Sequence, residues 1–369
     1  MAIPGRELQT QPSADPSTEP APLLSVVITN HNYARYVRAA VDSALGQTYP
    51  GMEVVVVDDG STDHSLDVLR RYGDQIRLFP QENQGQASAM NAGFARSRGA
   101  LLVFLDADDV LEPGAARKLV AAWRPEVARV QGVVRLLAPD GSPSGGHLPT
   151  SPPLDGDVTG LLLESGSYPT SGPSGAAYAR WALDRLLPIP EVEWRVAPDS
   201  YLALLAPFLG PVAAVREVIA GQRIHGGNKW ATGELDPDRL RQHLEIDRLK
   251  ERLLRTRLPS FGRALPDDWL FRNPSHLQSR LAHLRLRPES HPFPRDRRLR
   301  LAYRGVGATL RHHGFSPRKR AMLGAWFAAA ALLPAGLAVP LIRLGYSRAA
   351  RPRWLQRLIE RRVGSRPED

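Results

Sequence analysis

Hydrophobic residues in the first third of the chain occur in short continuous runs that alternate with amphipathic segments. The runs at residues 23–29, 52–60, 75–79 and 100–109 are rich in Val, Leu and Ile and have the length of buried strands. Segments with helical spacing of apolar residues lie between them. This alternation predicts an α/β domain in which helices cover both faces of a mostly parallel sheet.

The pattern changes after the fourth run. Residues 112–122 predict a helix with Pro113 near its start. Residues 141–156 are rich in Gly, Pro and Ser, which favours a mobile loop. Residues 211–230 predict a strand pair that runs into a glycine-rich loop. Residues 234–257 and 267–313 are charged and have helical periodicity with long polar faces.

The charge of the chain is uneven. Residues 1–230 contain 19 Lys and Arg against 25 Asp and Glu, whereas residues 231–369 contain 29 against 13. A basic C-terminal third indicates an anionic surface as partner, unless it reflects only an Arg-rich genome. The basic region has no recognisable reader motif and few interleaved aromatic residues, so we do not expect a nucleic-acid partner.

Residues 321–342 form an uncharged stretch of 22 residues, long enough to span a bilayer. Pro334 and Pro340 interrupt the stretch, and basic residues flank it on both sides. A membrane span, a hairpin, an interfacial segment and a buried helical pair all fit this pattern. Basic residues near an anionic leaflet contribute roughly 1 kcal/mol each, which favours a membrane-associating tail.

Two further features bear on the compartment. The chain has no cysteine, which fits a reducing environment and excludes cysteine-based metal sites. Its first residues lack a signal-peptide pattern and are rich in Pro, Ser and Thr, so we predict a disordered lead-in over residues 1–21. We expect a cytoplasmic protein that is peripheral to, or anchored in, the cytoplasmic face of the inner membrane.

Three carboxylates follow the fourth apolar run, at Asp106, Asp108 and Asp109. Charges this close repel one another unless a cation lies among them, and hard divalent cations prefer oxygen ligands. In an extended chain the side chains of Asp106 and Asp108 share a face, whereas Asp109 points elsewhere. The alternative is a cluster that caps the next helix, which accounts for one aspartate and not for three.

Polar residues also end the first and second runs, at residues 29–32 and at Asp58 and Asp59. Ligands of parallel sheets bind beyond the carboxyl ends of the strands, so these groups predict a binding edge. A strand-end carboxylate suits a ribose hydroxyl or a base N–H, and helix capping is the alternative. No P-loop motif occurs, and no G-x-G-x-x-G follows the first run, which disfavours those two nucleotide sites.

These motifs together resemble the nucleotide-sugar domain of family-2 glycosyltransferases of the GT-A fold, over roughly residues 22–230. The motifs are "DDGSTD" from Asp58, "NQG" from Asn83 with "NAG" from Asn91, and "DADD" from Asp106. The resemblance implies that Thr29 and Asp58 contact the nucleoside, with Asp59 nearby. Asn32 follows the first run and would line the nucleotide pocket, with a turn that caps a helix as the alternative. Many members carry Arg where this chain has Met90, so a phosphate contact from that helix is not expected.

The resemblance also implies roles around the diphosphate. Asp106 would lie near the ribose and diphosphate, and Asp108 would bind Mg²⁺ or Mn²⁺. His225 would contact the diphosphate or the metal, although an exposed histidine in a turn is the alternative. Asp199 would be the general base. In this chain Pro198 precedes it, where many members have Glu. The alternative is that Asp199 only stabilises the start of a helix.

The resulting expectation is an inverting enzyme that moves a sugar from a nucleotide-diphosphate sugar to a glycan or lipid-linked acceptor in cell-surface polysaccharide synthesis. Residues 22–110 would form its nucleotide-binding half and residues 111–230 its acceptor side. A basic helical region, 231–317, and a membrane-associating tail, 318–369, would follow. The alternatives are a nucleotidyltransferase, which requires a basic Gly-rich loop that is absent here, and a non-catalytic scaffold that binds nucleotide sugars.

Overall fold

The computed structural model describes residues 21–228, 236–312 and 314–346. The disordered lead-in predicted for residues 1–21 therefore lies outside the described residues except for its last position. The last part of the predicted tail, from residue 347 onward, also lies outside them.

Nine strands in the described part of the chain form one mixed sheet in the order β3-β2-β1-β4-β8-β6-β9-β5, with β7 paired to β6. The strands are β1 Leu24–Asn30, β2 Met52–Asp59, β3 Arg77–Gln81, β4 Leu101–Asp106, β5 Val110–Leu111, β6 Arg129–Leu137, β7 Pro143–Leu148, β8 Ala176–Ala179 and β9 Val212–Arg223. Pairing is parallel from β3 to β4 and between β6 and β9, and antiparallel elsewhere.

Helices cover the sheet and continue alone beyond it. They are α1 Val37–Leu45, α2 Ser65–Arg70, α3 Gln86–Arg96, α4 Ala115–Ala122, α5 Thr159–Ser165, α6 Arg180–Leu186, α7 Pro198–Leu205, α8 Pro237–Arg257, α9 Pro274–Leu286, α10 Arg298–Arg311, α11 Pro317–Leu332 and α12 Ala335–Tyr346. The predicted α/β class with a helical C-terminal region is thus confirmed.

The parallel half follows the apolar runs closely. Val26, Val27 and Ile28 on the central strand β1 are fully buried, because the sheet is covered on both faces. Helix α3 lies directly on β1, and a Cβ atom at Gly93 would come within 2.2 Å of Val27. The carboxyl ends of β1, β2 and β4 therefore meet at one edge of the sheet.

The second half differs from the sequence prediction in three places. The predicted loop at 141–156 is wrong, because residues 143–148 form β7 and pair with β6. The predicted strand pair at 211–230 is a single twelve-residue strand, β9, with register irregularities. The helix predicted from residue 112 begins three residues later, at Ala115. The residues before it, Val110 and Leu111, form β5 and pair with β9.

The uncharged stretch 321–342 lies in two helices that are separated between Leu332 and Ala335. Trp326 and Phe327 of α11 are buried in an apolar cluster with α9 and α10. Gly305 of α10 allows this packing, since a Cβ there would lie 2.3 Å from the Phe327 ring. In the described part of the chain, every helix falls short of the length and apolar character needed to cross a membrane.

Candidate active site

The aspartate cluster lies where β4 ends. Asp106 is the last residue of β4, and the next three residues turn back so that the Asp109 N–H donates to the Asp106 carbonyl at 3.0 Å. Carboxylate oxygens of Asp106, Asp108 and Asp109 lie within 4.8 Å of one another. The expectation that Asp109 points elsewhere is therefore wrong, because the segment is a turn and not extended chain.

Each aspartate has its own protein partners. Gln86 Nε2 at the start of α3 donates to Asp106 Oδ1 at 2.8 Å. Ser174 Oγ donates to Asp109 Oδ2 at 2.6 Å, and the backbone N–H of Arg223 donates to Asp109 Oδ1 at 3.0 Å. These bonds come from α3, the turn before β8 and the end of β9, so three separate elements hold the cluster in place.

The electrostatics of the cluster favour a cation. Burial, then the charges of Asp109 and Asp108, raise the pKa of Asp106 well above its ordinary value. Burial and the charge of Asp108 raise the pKa of Asp109 to about 8. Three carboxylate ligands this close together fit a hard divalent ion, which would relieve the repulsion between them.

His225 reaches the cluster from the segment after β9. Its Nε2 lies 3.0 Å from Asp108 Oδ2, and Asn228 Nδ2 donates to the same oxygen at 3.1 Å. The imidazole stacks on Tyr36 with ring centroids 4.8 Å apart, and the guanidinium of Arg223 lies 5.1 Å from the same ring centroid. The structure thus places His225 at the cluster, enclosed by the start of α1.

Asp58 and Asp59 end β2 beside the cluster, and protein donors already occupy their carboxylates. Asp58 accepts hydrogen bonds from Asn30 Nδ2 at 2.6 Å and from Ser61 Oγ at 2.7 Å. Asp59 accepts from Gln81 Nε2 at 2.8 Å and from the backbone N–H groups of residues 84 and 85 at 2.9 and 2.7 Å. Both carboxylates therefore fix the loops that form the walls of the predicted nucleoside pocket.

Thr29 and Asn32 lie at the same edge. Thr29 is half-buried on β1 between Val57 of β2 and Asp106 of β4. Asn32 has a positive φ of 59°, and its Oδ1 accepts from the backbone N–H groups of Thr62 and Asp63. Helix α2 follows at Ser65, whose N–H donates to Asp63 Oδ1 at 2.9 Å.

Asp199 occupies the first turn of α7, two residues after a strained residue. Ala197 has φ 59° and ψ 45°, a left-handed conformation that costs an alanine roughly 1–2 kcal/mol. Burial raises the pKa of Asp199, whereas the positive charges of Lys250 and Arg129 lower it. Asp199 in turn raises the pKa of Asp106 through its charge, so the two carboxylates are close enough to interact electrostatically.

Arg129 is a buried cation on β6 that supports this helix. Its Nη1 donates to the hydroxyls of Tyr168 and Thr170 at 2.5 Å each, and its Nη2 donates to the Ser171 carbonyl at 2.9 Å. Tyr168 then donates to the Ala203 carbonyl of α7 at 2.8 Å. Arg129 is therefore connected to the helix that carries Asp199.

A cavity of about 120 Å³ lies between α5, α7 and the helical region. Thr170, Ser200 and Lys250 contribute polar groups to its wall, and Trp269 contributes apolar surface. The region beyond residue 230 also contacts α7 directly, since Arg257 Nη1 donates to Tyr201 Oη at 3.0 Å. The cavity next to α7 is thus built from both parts of the chain.

Sequence reasoning missed four residues that hold this site: Gln86, Ser174, Arg223 and Arg129. Their partners lie 20 to 114 residues away in the sequence, which a single chain does not reveal. Arg129 did leave one signal, since a charge at the start of a strand rich in Val and Leu requires partners if it is buried. Arg223 left a second signal, because it lies two residues before His225 at the end of a strand.

Comparison with known sequences relates part of the chain to a family. Residues 25–186 match glycosyl transferase family 2. An uncharacterized glycosyltransferase of Nostoc sp. is 39% identical over 215 residues, which cover 56% of this chain and 66% of that protein. The hyaluronan synthase of Pasteurella multocida is 38% identical over 136 residues, which cover 36% of this chain and 14% of the synthase. The chain thus spans just under two thirds of the first relative and a small part of the second.

Solved structures with similar chain paths include S. aureus TarS in complex with UDP-GlcNAc, at 16% identity and a TM-score of 0.48, covering 88% of this chain and 91% of that one. A Pyrobaculum calidifontis mannosyltransferase in complex with GDP-Man and Mn²⁺ has 20% identity and a TM-score of 0.48, covering 86% and 87%. By the match over residues 25–186, the chain carries a glycosyl transferase family 2 domain.

Proposed function

We propose that the protein is a metal-dependent, inverting glycosyltransferase. It transfers a sugar from a nucleotide-diphosphate sugar to a hydroxyl group of a glycan or lipid-linked acceptor, in the synthesis of cell-surface polysaccharide. The observation that carries the proposal is the convergence of Asp106, Asp108 and Asp109 at the carboxyl edge of the parallel strands. Residues 22–110 bind the nucleotide, and residues 111–230 provide most of the acceptor side.

Asp106, Asp108 and His225 are the residues that would hold Mg²⁺ or Mn²⁺. The bound ion supplies Lewis-acid stabilisation of the charge that develops on the diphosphate leaving group. Gln86 orients the Asp106 carboxylate, and the backbone N–H of Arg223 orients that of Asp109, while Arg223 Nε donates to the Asp108 carbonyl. Thr29, Asn32, Asp58 and Asp59 shape the pocket for the nucleoside at the adjoining strand ends.

Asp199 is the proposed general base. The acceptor hydroxyl loses its proton to this carboxylate as its oxygen attacks the anomeric carbon from the face opposite the diphosphate, which inverts that centre. A carboxyl with a raised pKa is a better base than an exposed aspartate at neutral pH. The positive charges of Lys250 and Arg129 oppose that rise in the pKa.

The acceptor and the location form a second part of the proposal. The cavity beside Asp199 offers hydroxyl and ammonium groups together with apolar surface, which suits a sugar unit carried on a larger acceptor. The basic C-terminal third favours an anionic membrane surface as partner, on the cytoplasmic face.

Calorimetric titration of UDP, GDP and dTDP into the purified protein tests the proposal. Each nucleotide is titrated with Mn²⁺, with a chelator, and into Asp108→Ala. We expect one nucleotide to bind wild type only when the metal is present, and to bind Asp108→Ala at least tenfold more weakly. Binding that ignores both the metal and Asp108 would overturn the proposed role of the cluster.

Turnover of the donor that the titration identifies separates an enzyme from a scaffold. We expect nucleotide release that accelerates when an acceptor glycan is added. Metal-dependent binding without turnover on any acceptor would favour the non-catalytic alternative.

A further inference from the structure

A second cavity lies in the helical region, away from the aspartate cluster. Its volume is about 300 Å³, and it is bounded by the turn before α9, by α9 itself and by the start of α10. The side chains that distinguish it share one property, a guanidinium group: Arg280, Arg295, Arg297, Arg300 and Arg304.

The charges around this arginine cavity do not balance. Asp296 is the carboxylate in its wall, and Arg280 already pairs with it through two bonds of 2.8 and 2.5 Å. His291 Nε2 lies 2.9 Å from the same carboxylate. Within the described residues, no carboxylate lies within ion-pair distance of the other four arginines. The cavity therefore holds an excess of positive charge.

The arginines also act on one another. Burial, and then the charges of Arg300 and Arg280, lower the pKa of Arg304. Its guanidinium lies 3.8 Å from the centroid of the Phe271 ring, which fixes it against the cavity wall. Cations held this close are stabilised when an anion lies between them.

The backbone adds to the same preference. Helix α10 has Arg297 at its N-cap, no side-chain cap and no acidic residue in its first turn. The free N–H groups and the dipole of a fourteen-residue helix favour an anion at this end and disfavour cations. Arginines at this end are therefore unfavourable unless an anion accompanies them.

The same helix presents exposed apolar side chains. Leu299 is 58% exposed and Tyr303 is 82% exposed, and they are four residues apart, so they share one face. Arg300 and Arg304, also four residues apart, lie beside them. A ligand that combines an anionic group with an apolar chain matches this arrangement.

We propose that the arginine cavity binds a phosphate group, presented by the headgroup of an anionic lipid. Planar guanidinium forks bind phosphate oxygens in pairs, which an ammonium group does not do. Leu299 and Tyr303 then lie against the acyl boundary of the bilayer. This inference does not rest on the proposed transfer reaction, because none of its residues belongs to the aspartate cluster.

Sedimentation of the full-length protein with vesicles tests this inference. The vesicles are pure phosphatidylcholine, or phosphatidylcholine with about one third phosphatidylglycerol. We expect wild type to bind the anionic vesicles, and R300Q/R304Q to bind at least about tenfold more weakly. The matched control R252Q/R263Q loses the same charge outside the cavity and is expected to bind like wild type.

A third variant distinguishes a specific phosphate site from non-specific electrostatic attraction to the anionic vesicles. R300K/R304K keeps the charge but removes the guanidinium forks, so we expect it to lose most of the affinity as well. Equal binding by this variant and wild type, or equal loss in R252Q/R263Q, overturns the site. Thermal melting of each variant shows whether it is folded, and only variants that melt like wild type are compared.

Calorimetric titration of inorganic phosphate and pyrophosphate distinguishes the two sources of the anion. We expect weak binding of both, at millimolar concentration, which R300Q/R304Q reduces. Micromolar binding of pyrophosphate to a wild-type protein that ignores anionic vesicles would overturn the lipid assignment in favour of a soluble phosphate ligand.

Discussion

His225 Nε2 lies 3.0 Å from Asp108 Oδ2, although the two residues are 117 positions apart in the chain. Strand β9 carries His225 back to the carboxyl edge of the sheet, and the stacking of its ring on Tyr36 holds it there. The aspartate cluster is therefore completed by a segment that follows the last strand of the domain.

Metal binding is expected to stabilise the folded protein. Mn²⁺ at a hundredfold excess over its Kd contributes about 2.7 kcal/mol, since only the folded chain brings the carboxylates together. We expect a metal-dependent rise in Tm that a chelator reverses and that Asp108→Asn abolishes. Asp184→Asn, an exposed aspartate on α6, is the control and should respond to Mn²⁺ like wild type. A similar rise in Asp108→Asn would contradict the metal site.

Asp199→Asn is expected to lower kcat by about 10²–10⁴-fold, because the acceptor hydroxyl then lacks a base. Nucleotide binding should be unchanged, since Asp199 lies on the acceptor side. Steady-state kinetics with the identified donor and acceptor, together with calorimetry, separate the two effects. A kcat equal to that of wild type would show that Asp199 is not the general base.

Lys250→Met is expected to move the acid limb of the pH–rate profile to higher pH. The base acts in its ionised form, so the rate falls as the pH drops through the pKa of Asp199. The Lys250 charge lowers that pKa, and without the charge the pKa rises. Arg252→Met on the same helix is the control, and its profile should match that of wild type. An unchanged limb in Lys250→Met would mean that another group controls the acid side.

Arg129→Lys is expected to lower the free energy of unfolding by about 1–3 kcal/mol, because one ammonium group cannot satisfy the three buried partners of the guanidinium. Urea denaturation measures the change. Arg135→Lys, in the same strand but 40% exposed and paired with Glu112, should stay within about 0.5 kcal/mol of wild type. Similar values for the two variants would show that burial of Arg129 has no energetic consequence.

Phe327→Ala is expected to lower the free energy of unfolding by about 3–5 kcal/mol, since its ring fills the cluster between α9, α10 and α11. Leu332→Ala on the same helix removes an exposed side chain and should cost less than about 0.5 kcal/mol. Denaturation of detergent-free protein provides the comparison. Equal small effects would mean that α11 does not pack on the helical region.

The sequence predicted the parallel half of the sheet well because buried strands leave continuous apolar runs. β1, β2 and β4 lie within two or three residues of their predicted limits, and the aspartates lie at the predicted edge. The strand β7 was not predictable in this way, since its Gly-rich segment is extended through pairing with β6. Long-range pairing also explains why the roles of Ser174 and Arg223 escaped prediction.

The uncharged stretch 321–342 illustrates a different limit. Its composition fits a membrane span, a hairpin or a buried helical pair, and only the partner surface distinguishes them. In the structure, α9 and α10 supply that surface, and Trp326 and Phe327 face it. The composition of a segment describes what it can bury, but not against what.

The contacts between α7 and the helical region make the acceptor side a joint product of two sections of the chain. A chain shortened at residue 230, where the composition changes, would keep the residues of the aspartate cluster but lose Leu254, Leu258 and Trp269 from the core that the sheet packs on. It would lose Lys250 and the bond from Arg257 to Tyr201, and with them the support of the proposed base. The limit that the composition suggests at residue 230 is therefore not the limit of the folded unit that supports the proposed base.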